Sequence, residues 1–310
     1  MSNRSMTSAR KNKNDEFYTQ LGDIENEMRH YKSHFKDKVI YMNTDHPDKS
    51  NFWVFFKLQF NHLKPKKIIS TFYNEDGESF KTEYDGVEEI RTPLKGDGDF
   101  RSDECVEVLK ESDVVVTNPP FSLFREFVSL IIENNKSFLI MGNNNAITYK
   151  EIFPLIRDNK MWLGMQDNVT MEFEVPDEYT LNSSGRVDNN GIKYLKVSAI
   201  TWFTNLDYPK RHEEMLLWAS YEGSEHEYPK YDNYDAINVD RVANIPYDYE
   251  GVMGVPISFI GKWNPSQFEI LGIANSARWI GYECYTIIGD RNVYNRVLIR
   301  NLNPVDEITI

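Results

Sequence analysis

The sequence predicts an α/β fold built on a parallel sheet covered by helices on both faces, followed by a region of different texture. Three observations carry that prediction. Short apolar runs alternate with amphipathic helical stretches from about Asp23 to Met141; the run Asp113–Thr117 (DVVVT) holds four β-branched residues in succession; and beyond Asp207 the periodicity fades as Tyr, Pro, Asn and Gly become frequent. Strands buried on both faces read as continuous apolar runs, and each parallel crossover must pack a helix back on the sheet. Such sheets bind ligands beyond the carboxyl ends of their strands.

Taken in order, residues 1–14 carry Arg4, Arg10, Lys11 and Lys13 and no acid, and read as a basic disordered arm. Asp23–Phe35 is predicted as a helix because Ile24, Met28, Tyr31 and Phe35 recur at 4-3-4 spacing. Lys38–Met42 reads as a strand, Asn51–Leu63 as an aromatic-rich helix and Lys67–Tyr73 as a second strand. Glu104–Lys110 suits a helix, Asp113–Thr117 a strand, and Leu123–Glu133 a helix with Phe124, Phe127, Val128 and Ile131 on one side. Ser137–Met141 is the next strand and Tyr149–Asn159 the next helix. Met161–Val175 and Lys193–Leu206 read as longer strands joined by a polar loop. The change of texture predicts one domain over 15–206 and a second over 207–310.

Composition narrows the class. With 310 residues, 40% hydrophobic, and 18 Phe, 18 Tyr and 6 Trp, the chain can build a substantial core, which argues against global disorder. Cys105 and Cys284 lack the spacing of a disulfide framework or zinc site. No apolar run reaches the roughly 18 residues of a membrane span, and the polar start is unlike a secretory signal, so a cytoplasmic protein without membrane contact is expected. The 35 Lys+Arg against 48 Asp+Glu give a net charge of -13, which by itself disfavours a nucleic-acid partner; the basic arm and the cluster Lys64, Lys66, Lys67 are local exceptions.

The most informative segment is Thr117–Ser122 (TNPPFS), which follows DVVVT directly and so sits at the mouth of the sheet. Two prolines cannot continue a central strand, and their fixed φ holds neighbouring carbonyls in set directions. Asn118 offers a side-chain oxygen, Pro119 a backbone carbonyl and Phe121 a flat apolar face. Two acceptors beside an aromatic plane suit a planar amino group, whose nitrogen lone pair is delocalised. Accepting from both hydrogens favours a pyramidal, more nucleophilic nitrogen, and stacking fixes its plane, contributions of positioning and electrostatics. The ordinary alternative is a strand-to-helix turn with an Asn cap and Pro at the first helical position.

Asn118-Pro119-Pro120-Phe121 matches the motif [DNS]PP[YFW] of amino-group methyltransferases that use S-adenosylmethionine (AdoMet). Together with DEFYTQ (15–20), SNFW, GDGDFRS, VVVTNPPFSLFREF, ITYKEIF and the stretch from YPKYDNYDAINV to GVMGVPI, it makes the chain resemble the EcoRI-type adenine-specific DNA methyltransferases over most of its length. The resemblance implies a Rossmann-like, mixed seven-stranded catalytic domain with AdoMet as cofactor and a C-terminal target-recognition region. It implies that Asn118 and Pro119 orient the target N6 amine, Pro120 shapes the turn and Phe121 stacks on the base. Phe17, Tyr18 and Thr19 would line the AdoMet pocket, and Asp99-Phe100 would meet its adenine, with Asp97 competing for the carboxylate role. The loop after the first strand lacks the glycines common in methyltransferases; there Asp45 is expected near the methionine moiety with Ser50 and Phe52 close by, a surface turn with Ser50 as helix cap being the alternative. The acid that would hold the ribose is open, since Glu75 and Asp76 come late after their strand.

The implied partner is duplex DNA, whose target adenine must be flipped from the stack to reach such a site. A cognate restriction endonuclease acting on the same sequence would fit a restriction-modification context. Arg10, Lys11, Lys13, Lys210, Arg211, Lys230, Tyr231, Asn233 and Arg241 are the candidate DNA contacts, although residues 151–310 hold 14 Lys+Arg against 24 Asp+Glu. No zinc-ligand spacing, nucleophile elbow or phosphate loop appears, so no metal is implied. Two rival readings are the same chemistry on an RNA or protein amide nitrogen, and a non-catalytic DNA-binding protein on a methyltransferase scaffold.

Overall fold

The computed structural model describes residues 17–74, 78–177, 179–274 and 285–305, which form two compact units. One comprises the described residues up to Ala146 together with Leu163–Leu206; the other comprises Ile147–Trp162 and the described residues from Asp207 onward. The segment Ile147–Trp162, which the sequence reading ran on within 15–206, thus packs with the second unit. Arg10, Lys11, Lys13, Glu75, Asp76 and Cys284 lie outside the described residues.

The first unit contains β1 (Tyr18–Thr19), α1 (Leu21–Met28), β2 (Val39–Met42), α2 (Asn51–Leu58), α3 (Phe60–Leu63), β3 (Lys67–Ser70), β4 (Phe80–Tyr84) and β5 (Glu89–Pro93). After these come α4 (Asp103–Glu111), β6 (Val114–Thr117), α5 (Phe124–Glu133) and β7 (Ser137–Asn143). Beyond α6 (Phe153–Arg157) of the second unit and β8 (Trp162–Leu163) at the junction, the first unit ends with β9 (Val169–Val175), β10 (Gly185–Val187) and β11 (Lys193–Thr204).

Its main sheet runs β1-β9-β11-β7-β6-β2-β3-β4-β5. The strands β3, β2, β6 and β7 are mutually parallel. The flanks are antiparallel, β11 on β7, β9 on β11 and β1 on β9 at one side, β4 on β3 and β5 on β4 at the other. The sheet is therefore mixed and wider than the seven strands expected. Every residue of β2 and β6 is buried, as the β-branched runs require. Ser50 caps α2 through its hydroxyl, which accepts from the Phe52 N–H at 3.1 Å, and Ser102 caps α4 in the same way from Cys105 N–H at 3.3 Å.

The helix expected over Asp23–Phe35 ends at Met28 and resumes as a short 3-10 turn at Lys32–His34, yet Ile24, Met28, Tyr31 and Phe35 are all fully buried. Likewise the helix expected from Leu123 opens with a 3-10 turn at Phe121–Leu123 before α5 begins.

The second unit holds a four-stranded sheet, with β12 (Ile237–Asn238), β13 (Met253–Pro256), β14 (Phe268–Ala274) and β17 (Arg296–Asn301) in the order β12-β13-β17-β14. A separate hairpin is formed by β15 (Thr286–Ile288) and β16 (Arg291–Val293). Phe259 and Phe268 meet edge to face with centroids 5.3 Å apart, and Trp263 Nε1 donates to the Phe268 carbonyl at 2.7 Å, tying the core of this unit to β14. Among the described residues no helix is long and apolar enough to cross a membrane.

Candidate active site

The corner after β6 is made by its sequence. Val114–Thr117 is buried in the parallel sheet, and Pro119-Pro120 then end the strand, with Pro120 in an extended conformation (φ -54, ψ 121) rather than a helical one. Asn118 does not cap a helix. Its side-chain Nδ2 donates to the Phe17 carbonyl at 2.9 Å and to Thr19 Oγ1 at 3.4 Å, leaving Oδ1 buried without a partner. The amide is thus held at its nitrogen end, and its oxygen is the atom left open. The Pro119 carbonyl likewise accepts no hydrogen bond among the described residues.

Phe17 and Thr19 reach Asn118 because β1 pairs with β9, placing Tyr18 opposite Glu174 and Thr19 opposite Phe173. The Thr19 carbonyl accepts from Asn51 Nδ2 at 2.8 Å, which joins this strand to the start of α2. Phe17 lies 6.0 Å from Phe121 at an interplanar angle of 34°, and also meets Phe173 at 5.6 Å and Tyr179 at 6.3 Å. Phe121 remains half-exposed in this aromatic group.

Beneath the corner runs a hydroxyl-carboxylate network. Asp45 is buried, and its two carboxylate oxygens accept from Ser50 at 2.5 Å and from Thr117. Thr117 shares a 2.5 Å hydrogen bond with Thr44, whose hydroxyl also donates to the Asn118 carbonyl at 3.5 Å. Burial pushes the Asp45 carboxyl up to about 6, while the Ser50 and Thr117 hydroxyls pull it down. Both Asp45 oxygens are therefore engaged inside the protein, and Asp45 acts as a brace between the loop after β2 and the corner after β6. Phe52 is a core residue, 1% exposed and 6.0 Å from the Trp202 ring.

The Gly96–Phe100 loop meets this network at second hand, through Cys105, whose Sγ lies 3.6 Å from the Gly98 carbonyl and 3.8 Å from Thr71 Oγ1, the Thr71 carbonyl accepting from Asp45 N–H at 3.1 Å. Arg101 grips Asp99 with two hydrogen bonds (2.9 and 2.6 Å) and holds its carboxyl below the usual range, and Phe100 packs edge to face on Phe127 at 5.1 Å. Asp97 is exposed; one of its oxygens accepts the Asp99 N–H at 3.0 Å. Gly98 adopts φ +79, and a Cβ there would overlap the Phe72 carbonyl oxygen, so both the conformation and the close approach require glycine.

Residue type and spacing assign no role to Asn43 or Thr44 after β2, nor to Thr117, which opens the TNPPFS segment at the end of β6. Asn43 is 2% exposed and its Oδ1 has no partner; Gln20 Nε2, next to Thr19, is likewise buried and unpartnered. The available signal was a polar residue directly after an apolar strand at the ligand-binding edge of a parallel sheet.

In the second unit the expected DNA contacts divide. Lys210, Lys230 and Arg241 are exposed. Arg211 is 8% exposed; its guanidinium lies 3.7 Å from the Trp162 ring centroid and bonds to Asn159 and Asp207, so it is a packing residue. Tyr231 is also buried, its hydroxyl donating to Asn238 Oδ1 at 2.8 Å and to the Gly254 carbonyl at 3.2 Å. Asn233 holds the hairpin base, donating to the Tyr285 carbonyl at 3.1 Å and accepting from Ile287 N–H at 2.8 Å.

The sequence profile of the family described as adenine-specific methyltransferase EcoRI matches residues 5–86 and 77–302. Type II methyltransferase M.EcoRI of Escherichia coli is 44% identical over 319 residues, covering 96% of this chain and 97% of that protein. Type II methyltransferase M.MgeORF184P of Mycoplasma genitalium is 44% identical over 266 residues (85% of this chain, 84% of that protein). Type II methyltransferase M.MpnI of Mycoplasma pneumoniae is 43% identical over 266 residues (85% and 83%). No solved structure matches the chain significantly.

Proposed function

Since the chain belongs to the EcoRI family of adenine-specific methyltransferases, we propose that it transfers a methyl group from AdoMet to the N6 amine of one adenine within a short sequence of duplex DNA. The observation that carries the reading is the buried, unpartnered Oδ1 of Asn118 beside the open Pro119 carbonyl. These two oxygens accept from the two hydrogens of the target amine, favouring a pyramidal nitrogen, and Phe121 supports the face of the base with Phe17 behind it. Because Asn118 Nδ2 is already committed to Phe17 and Thr19, the amide cannot flip without losing those bonds. The acceptor is thereby preorganised, which is where such sites gain most of their electrostatic contribution.

What supports a Rossmann-like reading of the sheet is its parallel centre. The chain passes from β2 to β3 on one side and returns to β6 on the other, so the switch point lies between β2 and β6. Asn43 and Asn118 directly follow those two strands, and each carries an orphaned buried oxygen. Bound AdoMet supplies an electrophilic methyl on a sulfonium centre. Asn43 and Gln20, with a spare acceptor and a spare donor, fit its amino-acid end, alongside Phe17, Tyr18 and Thr19. Asp97, not engaged by a cation, is better placed than the Arg101-bound Asp99 to accept from the cofactor's adenine amine. Asp45 and Ser50 hold the loop that presents Asn43.

The second unit is the proposed target-recognition region, and a nuclease cutting the same unmodified sequence is the proposed partner in a restriction-modification pair. Single-molecule sequencing of DNA from a methylation-free host expressing the protein tests the function. The expected result is N6-methyladenine at one short motif; unmodified DNA with methyl label in RNA or protein contradicts it.

A further inference from the structure

The hairpin β15–β16 stands outside the four-stranded sheet of its unit and forms a two-stranded sheet of its own. Its turn is Gly289-Asp290, with φ of 52° and 65°, the left-handed pair of a tight two-residue hairpin. An isolated hairpin is marginal in water, but this one is stapled along its first strand, from Tyr285 to the turn at Gly289. Asp232 N–H donates to the Ile287 carbonyl at 2.7 Å, and Asp232 Oδ2 accepts from Gly289 N–H at 2.7 Å. Asn233 adds a bond in each direction, to the Tyr285 carbonyl and from the Ile287 N–H. Four hydrogen bonds from two adjacent residues therefore hold one strand, leaving β16 as the outward edge.

That edge carries recognition chemistry. Arg291 and Asn292 are both exposed, with Arg291 in the pair nearest the turn (opposite Ile288) and Asn292 in the next (opposite Ile287). Tyr294 follows, 71% exposed, its ring 6.0 Å from Tyr285. Four other arginines of the unit are committed, Arg211 under Trp162, Arg157 to Asp158, Arg296 to Asn238 and Arg300 to Glu269, while Arg241 is exposed like Arg291 but lies outside the hairpin. The Arg291 side chain has no ion pair or hydrogen bond among the described residues. As successive strand residues the two flank opposite faces of the edge, and an unpartnered Arg and an exposed Asn are the side-chain types suited to bidentate contacts with guanine and adenine edges.

The dimensions agree. With the turn held at Asp232, the hairpin presents its β16 edge, three residues or roughly 10 Å long at about 3.3 Å each, and the major groove, about 12 Å wide, admits a two-stranded ribbon.

We propose that the β15–β16 hairpin enters the major groove of the substrate duplex and that Arg291 and Asn292 read base edges, setting part of the target sequence. The inference rests on the function proposed above and assigns its specificity to one element. It also gives Asn233 a different role from direct contact, namely holding the reader in place.

The test maps every methylated adenine, by single-molecule sequencing, in a methylation-free host expressing the wild-type protein, Arg291→Ala or Asn292→Ala. Thermal melts and AdoMet titrations confirm that the variants are folded and loaded. The expected result is a motif that becomes degenerate at one position in each variant, discrimination there falling roughly tenfold to hundredfold. Folded variants that mark the wild-type motif with unchanged selectivity overturn the inference alone. So does a uniform loss at all sequences with a shallower salt dependence, the signature of phosphate contact. A wild-type protein that leaves DNA without N6-methyladenine overturns the functional reading and this inference with it.

Discussion

Glu27 is a buried acid whose hydrogen-bond partners are all neutral, and replacing it with glutamine makes the folded state respond differently to pH. Its carboxylate accepts from the Tyr31 hydroxyl at 2.8 Å and from the backbone N–H groups of Met165 and Gln166 at 2.8 and 2.9 Å, joining α1 to the approach to β9. Burial pushes its carboxyl from an ordinary 4.5 up to about 7, against the opposing pull of those hydrogen bonds. Between these values the folded protein binds more protons than the unfolded chain. Its contribution to stability is therefore full below about pH 4.5 and is lost as pH rises through about 7. At about 1.4 kcal/mol per pH unit the whole window is worth about 3 kcal/mol, of which about 2 falls between pH 5.5 and 7. Asp45, pushed up to about 6, adds a term of the same sign at lower pH, but it is present in both proteins and cancels in their difference. Glutamine resembles the protonated acid and does not titrate. Urea unfolding of wild type and Glu27→Gln, followed by tryptophan fluorescence at about pH 5.5 and about pH 8, measures the effect. Relative to wild type, the variant gains about 2 kcal/mol on going to the higher pH, or roughly 0.7 M in midpoint at a slope of about 3 kcal/mol per molar. Curves that shift in parallel would refute the assignment of a proton to Glu27.

Gly98→Ala combines a left-handed backbone with overlap of the Phe72 carbonyl, and is expected to cost at least about 2 kcal/mol; an unchanged urea midpoint speaks against that loop geometry. Arg211→Ala loses a desolvated stacking contact on Trp162 and is expected to lower stability by about 2 kcal/mol, whereas the exposed Lys210→Ala is expected to be within about 0.5 kcal/mol of wild type in the same assay. The reverse order contradicts the packing role of Arg211.

The centre of the sheet was legible because fully buried parallel strands leave an unmistakable apolar signature, as Val39–Met42 and Val114–Thr117 do. The edge hairpin β4–β5 was not read, although Lys81 and Glu83 alternate with Phe80, Thr82 and Tyr84 in the period-two pattern of a half-buried strand, a weaker signal than the continuous apolar runs. Its four-residue loop Asp85–Glu88, with Asp85 accepting from Val87 and Glu88 N–H at 2.9 Å each and Gly86 at φ +95, was the further signal. In the candidate site, Asn118 and Phe17 could be singled out by residue type, but their 2.9 Å link spans a hundred residues of chain and depends on β1 pairing with β9. The burial of Arg211 and Tyr231 was hidden for a similar reason. A basic or aromatic residue in a weakly patterned region looks exposed until the tryptophans and glycine that cover it are placed.

Methyl transfer depends on the open oxygen of Asn118. Asn118→Ala removes that oxygen together with the Nδ2 bonds to Phe17 and Thr19, but leaves the Pro119 carbonyl and the β1–β9 pairing that also holds Tyr18 and Thr19. AdoMet affinity measured by calorimetry and methyl transfer to duplex DNA measured with tritiated cofactor should therefore separate. The account predicts binding within a few-fold of wild type and transfer lower by about a hundredfold or more. Transfer at the wild-type rate in a variant that still binds AdoMet would contradict it.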